Sequence, residues 1–187
     1  GRPSEYWTWG LDIQQQLSSS LVLTMGYTGT RGLRLTSGLI NYNQIDPRYL
    51  TTLGSTLLLS SATSPAAAQA GIQLPYPGFS GTVQQALQAF PQYRSITSHN
   101  GGEKIGVSSY HSMVLKIDKR YSSGLTLLGS YVLSKLFTDA ESASLQGAWA
   151  MDTYNRRLEK DLSADDQTHI IRASLNYELP VGKGKRL

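Results

Sequence analysis

Trp7-Thr8-Trp9-Gly10-Leu11-Asp12-Ile13-Gln14, then after Ser18-Ser19-Ser20 the run Leu21-Val22-Leu23-Thr24-Met25-Gly26-Tyr27-Thr28, decides the fold of this chain. Trp7, Trp9, Leu11 and Ile13 alternate with Thr8, Gly10, Asp12 and Gln14, and Leu21, Leu23, Met25 and Tyr27 alternate with Val22, Thr24, Gly26 and Thr28. Successive side chains on a strand point to opposite faces, so each segment has one apolar and one polar side. Three later stretches repeat the pattern. Met113, Leu115 and Ile117 oppose Ser112, Val114, Lys116 and Asp118; Leu125, Leu127, Tyr131 and Leu133 oppose Thr126, Leu128, Ser130 and Val132. Ile171, Ala173, Leu175, Tyr177 and Leu179 oppose Ile170, Arg172, Ser174, Asn176 and Glu178.

The charged residues Asp12, Lys116, Asp118, Arg172 and Glu178 all fall on the polar side of this alternation. A soluble sheet with one buried face alternates identically, so strand pattern alone does not decide the environment. The links do. Strands one and two, and strands three and four, are joined by hairpin-sized turns, the second built on Ser122-Ser123-Gly124. The links after strands two and four are long, about residues 36–106 and 138–166, far beyond the ~12–15 residues usual for a structureless loop in a compact soluble domain. Short turns alternating with long loops are the rule for outer-membrane barrels, with the short turns periplasmic and the long loops external. The expected fold is therefore all-β: an antiparallel transmembrane β-barrel segment of about five strands, in the outer membrane of a Gram-negative-type bacterium. A lipid-facing Lys or Arg at the bilayer midplane costs about 2–4 kcal/mol, so the five charged residues are candidates for lining the interior. Val22, Val114, Leu128, Val132 and Ile170 interrupt the polar side, which a lumen packed against a plug or another wall tolerates.

Composition agrees with this assignment. The chain of 187 residues contains no cysteine, which removes disulfides, thiol catalysis and Cys-based zinc sites and fits an oxidising compartment. It contains no run of ~18 apolar residues that would make a transmembrane helix, and its first residues carry no signal-peptide pattern. The net charge of +4 is spread over scattered residues such as Arg31, Arg34, Arg94, Lys119 and Arg120, apart from Lys183, Lys185 and Arg186. Nucleic-acid binding needs a coherent basic stripe with interleaved aromatics, so no nucleic-acid partner is expected. Eleven tyrosines and three tryptophans against three phenylalanines suit interfacial girdles. Tyr6, Trp7, Trp9, Tyr27 and Tyr110 lie toward the long-loop ends of their strands, and Tyr121 and Tyr177 toward the short-turn ends. Five strands are fewer than the eight that close the smallest bacterial barrels, so the chain is expected to be a fragment of a larger barrel.

The first long loop carries its own signals. Asp46-Pro47 reads as N-cap and first residue of a short amphipathic helix through Arg48, Tyr49, Leu50, Leu53, Leu57 and Leu58. Ser61 to Ala70 is Ser/Ala-rich and reads as a flexible excursion, and Pro75-Tyr76-Pro77-Gly78-Phe79 as a rigid turn. Ser80 is placed to cap a second helix from Thr82 to Ala89, ended by Pro91.

Several blocks carry a family resemblance. Asn41-Tyr42-Asn43-Gln44-Ile45-Asp46-Pro47-Arg48-Tyr49-Leu50, Pro75 to Thr82 and Ala86-Leu87-Gln88-Ala89-Phe90-Pro91-Gln92-Tyr93 are followed in order by Tyr110-His111, Lys119 to Thr126 and Tyr131 to Lys135. With Ser163 to His169 and Tyr177 to Arg186, they resemble the barrel portion of Oar-like TonB-dependent receptors of acidobacterial type. The resemblance covers residues 1–187 and implies a 22-stranded barrel with a plug and an N-terminal carboxypeptidase-regulatory-like domain, both absent from this stretch. It implies uptake of an unknown small-molecule or oligomeric substrate, energised by a TonB-type complex reached through parts of the protein outside this chain. The sequence departs from the family pattern at Ile170, where a basic residue is expected after His169.

Chemistry beyond transport has little support. Asp161, Asp165, Asp166 and His169 have metal-like composition, but their spacing matches neither an EF-hand nor a metalloprotease helix, and polar residues at a loop-to-strand junction explain them better. His99 stands beside Asn100-Gly101-Gly102, a turn signal, and His111 begins a strand. No nucleophile elbow accompanies them. Gly182-Lys183-Gly184-Lys185 lacks the spacing of a phosphate loop. The expectation is a non-enzyme with no cofactor and no metal. The alternative function is a surface-interaction or adhesion protein that uses its long loops, with Tyr76, Phe79, Phe90 and Tyr93 exposed. A soluble β-rich domain with Trp7, Trp9, Leu23 and Leu127 in its core is a third possibility.

Overall fold

The computed structural model describes residues 2–38, 40–96, 103–140, 150–182 and 184. The glycine turn at 99–102 and the basic residues 183, 185 and 186 lie outside the described residues. The chain divides into two compact units: Gly1–Leu35, Ile105–Glu141 and Asp161–Leu187 form one, and Thr36–Lys104 with Ser142–Lys160 the other.

The first unit is a six-stranded antiparallel sheet. Its strands are β1 (Glu5–Ser18), β2 (Leu21–Ser37), β3 (Glu103–Ser122), β4 (Leu125–Thr138), the two-residue β5 (Asp161–Leu162) and β6 (His169–Tyr177), in the order β1-β2-β3-β4, with both β5 and β6 pairing to β4. The alternating segments of the sequence all become strands, but β1 to β4 run 14 to 20 residues, longer than the alternation alone marks. A tilted strand needs only ~9–11 residues to cross a bilayer. Ser123 and Gly124 both take positive φ, 54° and 78°, the two-residue hairpin geometry whose twist matches the flanking strands.

Register fixes the faces. Trp9 pairs with Gly29, Leu11 with Tyr27 and Ile13 with Met25. Leu115 pairs with Tyr131, which pairs in turn with Ile171. Odd-numbered residues therefore line an apolar face across these strands. Ile171 is 77% exposed, Leu11 65% and Leu175 65%, so this unit leaves that face uncovered. Trp9 folds its ring over Gly29, where any side chain would collide with the indole. The aromatic fills the gap left by the glycine in the pleated surface. Tyr6 and Tyr110 correct the girdle expected from the sequence. They pair with Gly32 and Leu136 on the even-numbered face, opposite Trp7, Trp9 and Tyr27.

The last strand is broken. Thr138 and Phe137 pair with Asp161 and Leu162, whereas Leu133 pairs with His169, so the six residues 163–168 stand opposite only three, 134–136, and the register shifts by three, an odd number. An odd shift turns the strand over. Leu162 is thereby placed on the face of Phe137. Across the break, the Asp166 carboxylate accepts the Leu136 amide at 2.7 Å and the Thr168 hydroxyl at 2.7 Å, and Ser163 donates its amide to the Leu136 carbonyl at 2.9 Å. A side chain thus replaces the missing ladder carbonyl.

The second unit has a small core of its own. Leu58, Ala67 and Val83 are buried against Ile45, Leu53, Leu57, Ile72 and Leu87. They come from α1 (Arg48–Leu59), α2 (Pro65–Gln69) and α3 (Val83–Ala86). Three sequence expectations are corrected here. Helix α1 keeps its expected start, with Pro47 in helical conformation and the Asp46 carboxylate accepting the Arg48 amide (2.9 Å) as well as its guanidinium, but the helix kinks at Gly54, whose φ is 74°. The Ser/Ala-rich segment is ordered: Ser64 caps α2 through the Ala67 amide, Pro65 takes its first turn, and Ala67 is fully buried. Thr82, and not Ser80, caps α3. The proline turn forms as expected, with Gly78 at φ 81° and Tyr76 edge-on to Phe79.

Asn41, Asn43 and Gln44 hold this unit together. Asn43, fully buried, donates to the carbonyls of Phe90 (3.0 Å) and Tyr93 (2.7 Å) and accepts from the Phe90 amide (2.9 Å). Asn41 accepts the Asn43 and Ile96 amides, and Gln44 binds the Met151 carbonyl and the Thr153 amide. Tyr42 hydrogen-bonds Glu103, and the nearby carboxylate pushes its phenol up to about 12.

Candidate functional site

The candidate site is the even-numbered face of the sheet, which is built in cross-strand rows. Lys116 pairs with Ser130 and Ser130 with Arg172, so two cations flank one hydroxyl across three strands. One row toward the short turns, Asp118, Leu128 and Ser174 form the next line. One row toward the long loops, Val114, Val132 and Ile170 stand side by side. The apolar residues that interrupt the alternation are therefore not scattered; three of them form one continuous stripe. Lys116, Leu128, Ser130, Arg172 and Ser174 line an open concavity of about 400 Å³. Neighbouring strands lie ~4.8 Å apart, so two long side chains two strands apart can converge on one group.

Asp12 lies on the same face, opposite Gly26, and its carboxylate occupies the space a side chain there would take. Glu178 does not join these rows. It lies past the end of β6, donates its amide to the Gly124 carbonyl at 2.7 Å, and accepts the Tyr121 hydroxyl at 2.5 Å, which ties down the short-turn rim. Of the five charged residues singled out in the sequence, Lys116, Asp118 and Arg172 share one neighbourhood, Asp12 stands on β1, and Glu178 is at the edge.

The residues of metal-like composition are placed apart in function. Asp166 closes the strand break, and its side chain is only 3% exposed. The Thr168 hydroxyl first, then the Leu136 amide and Lys135 at 3.6 Å, hold its carboxyl below the usual carboxylate range. Asp161 accepts the amide of Leu162. The Tyr131 oxygen and His169 Nδ1 are hydrogen-bonded at 2.8 Å with the rings stacked, and the Tyr27 oxygen and His111 Nδ1 pair in the same way at 2.7 Å. No group of three metal-ligating side chains gathers among the described residues.

A family model described as an outer membrane beta barrel domain matches residues 2–187. No curated protein and no solved structure matches the chain.

Proposed function

The chain belongs to the outer membrane beta barrel domain family and lies in the bacterial outer membrane, and from that premise we propose that it is part of the wall of an Oar-like TonB-dependent receptor that takes up an unknown substrate. In such a wall the apolar odd-numbered face meets lipid and the even-numbered face looks into the barrel. The observation that carries the proposal is the Val114–Val132–Ile170 stripe on that inner face. A water-filled channel is lined by polar side chains, whereas the large outer-membrane transporters hold a plug inside the barrel. A contiguous apolar stripe suits contact with a plug. The ordered sequence blocks shared with Oar-like receptors support the same reading. The proposed role is non-enzymatic, with a TonB-type complex as the energising partner, and the Lys116–Ser130–Arg172 row is a candidate contact for the plug or the passing substrate.

This chain has no cysteine of its own, so a thiol placed in it reports from a single position once any cysteine elsewhere in the full-length protein is replaced by serine. Val132→Cys and Val114→Cys in the full-length protein are expected to resist a water-soluble maleimide in intact cells, and to become reactive once the plug is deleted. Thiols that react as fast as one in an external loop would mean a water-filled lumen and would sink the receptor reading, as would a full reading frame without a plug domain and TonB box.

The second reading, surface interaction or adhesion, is favoured by one observation: the loop unit is folded around its own core and leaves Tyr76, Phe90 and Tyr93 about half exposed, whereas Phe79, expected to be exposed, is buried. Adhesion that survives substitution of both rings by alanine would count against it.

A further inference from the structure

The second unit contains a cleft that the transport reading does not use. Thr82, Gln84, Gln85, Gln88 and Arg94 line an open depression of about 380 Å³. The lining has no carboxylate and no large apolar side chain. Two of the amides are held in place by backbone. Gln85 donates to the Pro91 carbonyl at 2.9 Å, and Gln88 to the Arg94 carbonyl at 3.3 Å. Their NH₂ groups being fixed, the two amide oxygens remain as acceptors. The Gln88 oxygen is buried and has no hydrogen-bond partner among the described residues. A buried acceptor without a donor costs free energy, so a native structure that keeps one calls for an outside donor such as water or a ligand hydroxyl. Gly81 is part of the construction, since a side chain there would strike the Gln85 amide and the Phe79 ring.

The remaining groups define the ligand. Thr82 already accepts the Gln85 amide at 3.2 Å, so its hydroxyl hydrogen is available to donate. Gln84 offers both donor and acceptor, and Arg94, exposed and without an ion pair among the described residues, offers a fork of donors. Oriented acceptors beside paired donors match vicinal hydroxyls, each of which gives and takes a hydrogen bond. One cation without a second argues against a polyanion. Peptides docking as a strand need an open sheet edge, which this cleft lacks. Phe90 and Tyr93 precede Arg94 in the chain, four residues and one residue before it, and expose rings on which the C–H face of a sugar can stack. We propose that the Thr82–Arg94 cleft binds a neutral saccharide.

The proposal concerns binding alone and does not depend on transport, so it is tested on detergent-solubilised full-length protein by calorimetry. The probes are cellopentaose, xylopentaose, laminaripentaose and maltopentaose, with oligogalacturonate and a neutral pentapeptide as contrasts. At least one neutral oligosaccharide is expected to bind. Gln84→Ala and Arg94→Ala, both at exposed positions, are expected to weaken it about five- to tenfold each. Gln88→Leu, which removes the unpartnered oxygen, is expected to weaken it by about tenfold or more. Binding of none of the four neutral probes, binding of the acidic or peptide probe alone, or affinity unchanged in all three variants would each overturn the proposal. The thiol scan of the barrel wall reads separately, so either conclusion can fail without the other.

Discussion

Asn43 shows how much one side chain can carry. Its amide satisfies two carbonyls and one amide of residues 90–93, from inside a unit where it is fully buried. Asn43→Ala would leave those groups without partners, at about 1–3 kcal/mol each. The expected outcome is early protease nicking between residues 60 and 95 in intact cells, with the heat-modifiable barrel band unchanged. The Asn41–Gln44 block was legible in the sequence only as a resemblance. Its physical role was not, because its partners lie 47 to 112 residues away and an asparagine in a loop looks like any turn former. Asp46 was legible as a capping residue and caps through the Arg48 amide; its second bond, to the Arg48 guanidinium, was not legible.

The break between β5 and β6 is the element whose behaviour follows most directly from one titratable group. The Asp166 carboxyl is held low by its hydrogen bonds, so the stability it supplies is present above the ordinary carboxylate pKa, ~3.9, and is lost as pH falls through its own lower value. Amide-exchange protection of Leu136, corrected for intrinsic rates, is expected to drop below about pH 4 in the native protein. In Asp166→Asn that drop should vanish, while Asp166→Ala should lose the protection at every pH. A native Leu136 amide that stays equally protected through pH 3 would remove Asp166 from this role. The alternation of the strands themselves was legible, since period-two patterning is local. The break was not: residues 163–168 are polar and read as loop, and nothing local announces that an odd insertion turns Leu162 onto the face of Phe137. Local signals likewise gave the proline turn but missed α2, whose Ser64 cap and Pro65 only acquire meaning once Ala67 has a core to enter.

At the scale of the molecule, parity decides which side of the membrane wall a residue occupies, and neighbouring positions test it sharply. Ala173→Arg on the odd-numbered face, midway along β6, is expected to destabilise the barrel in vesicle-folding titrations by about 2–4 kcal/mol. Ser174→Arg, one residue on and facing the other way, is expected to cost less than about 1 kcal/mol. Equal costs would mean that the faces are assigned wrongly. The long insert between β2 and β3 leaves from one strand and returns on its immediate neighbour in the sheet. Its ends are therefore brought together by the ladder, whatever the insert contains. Such a cassette can change in length or sequence while the pairing of the two strands that carry it stays the same.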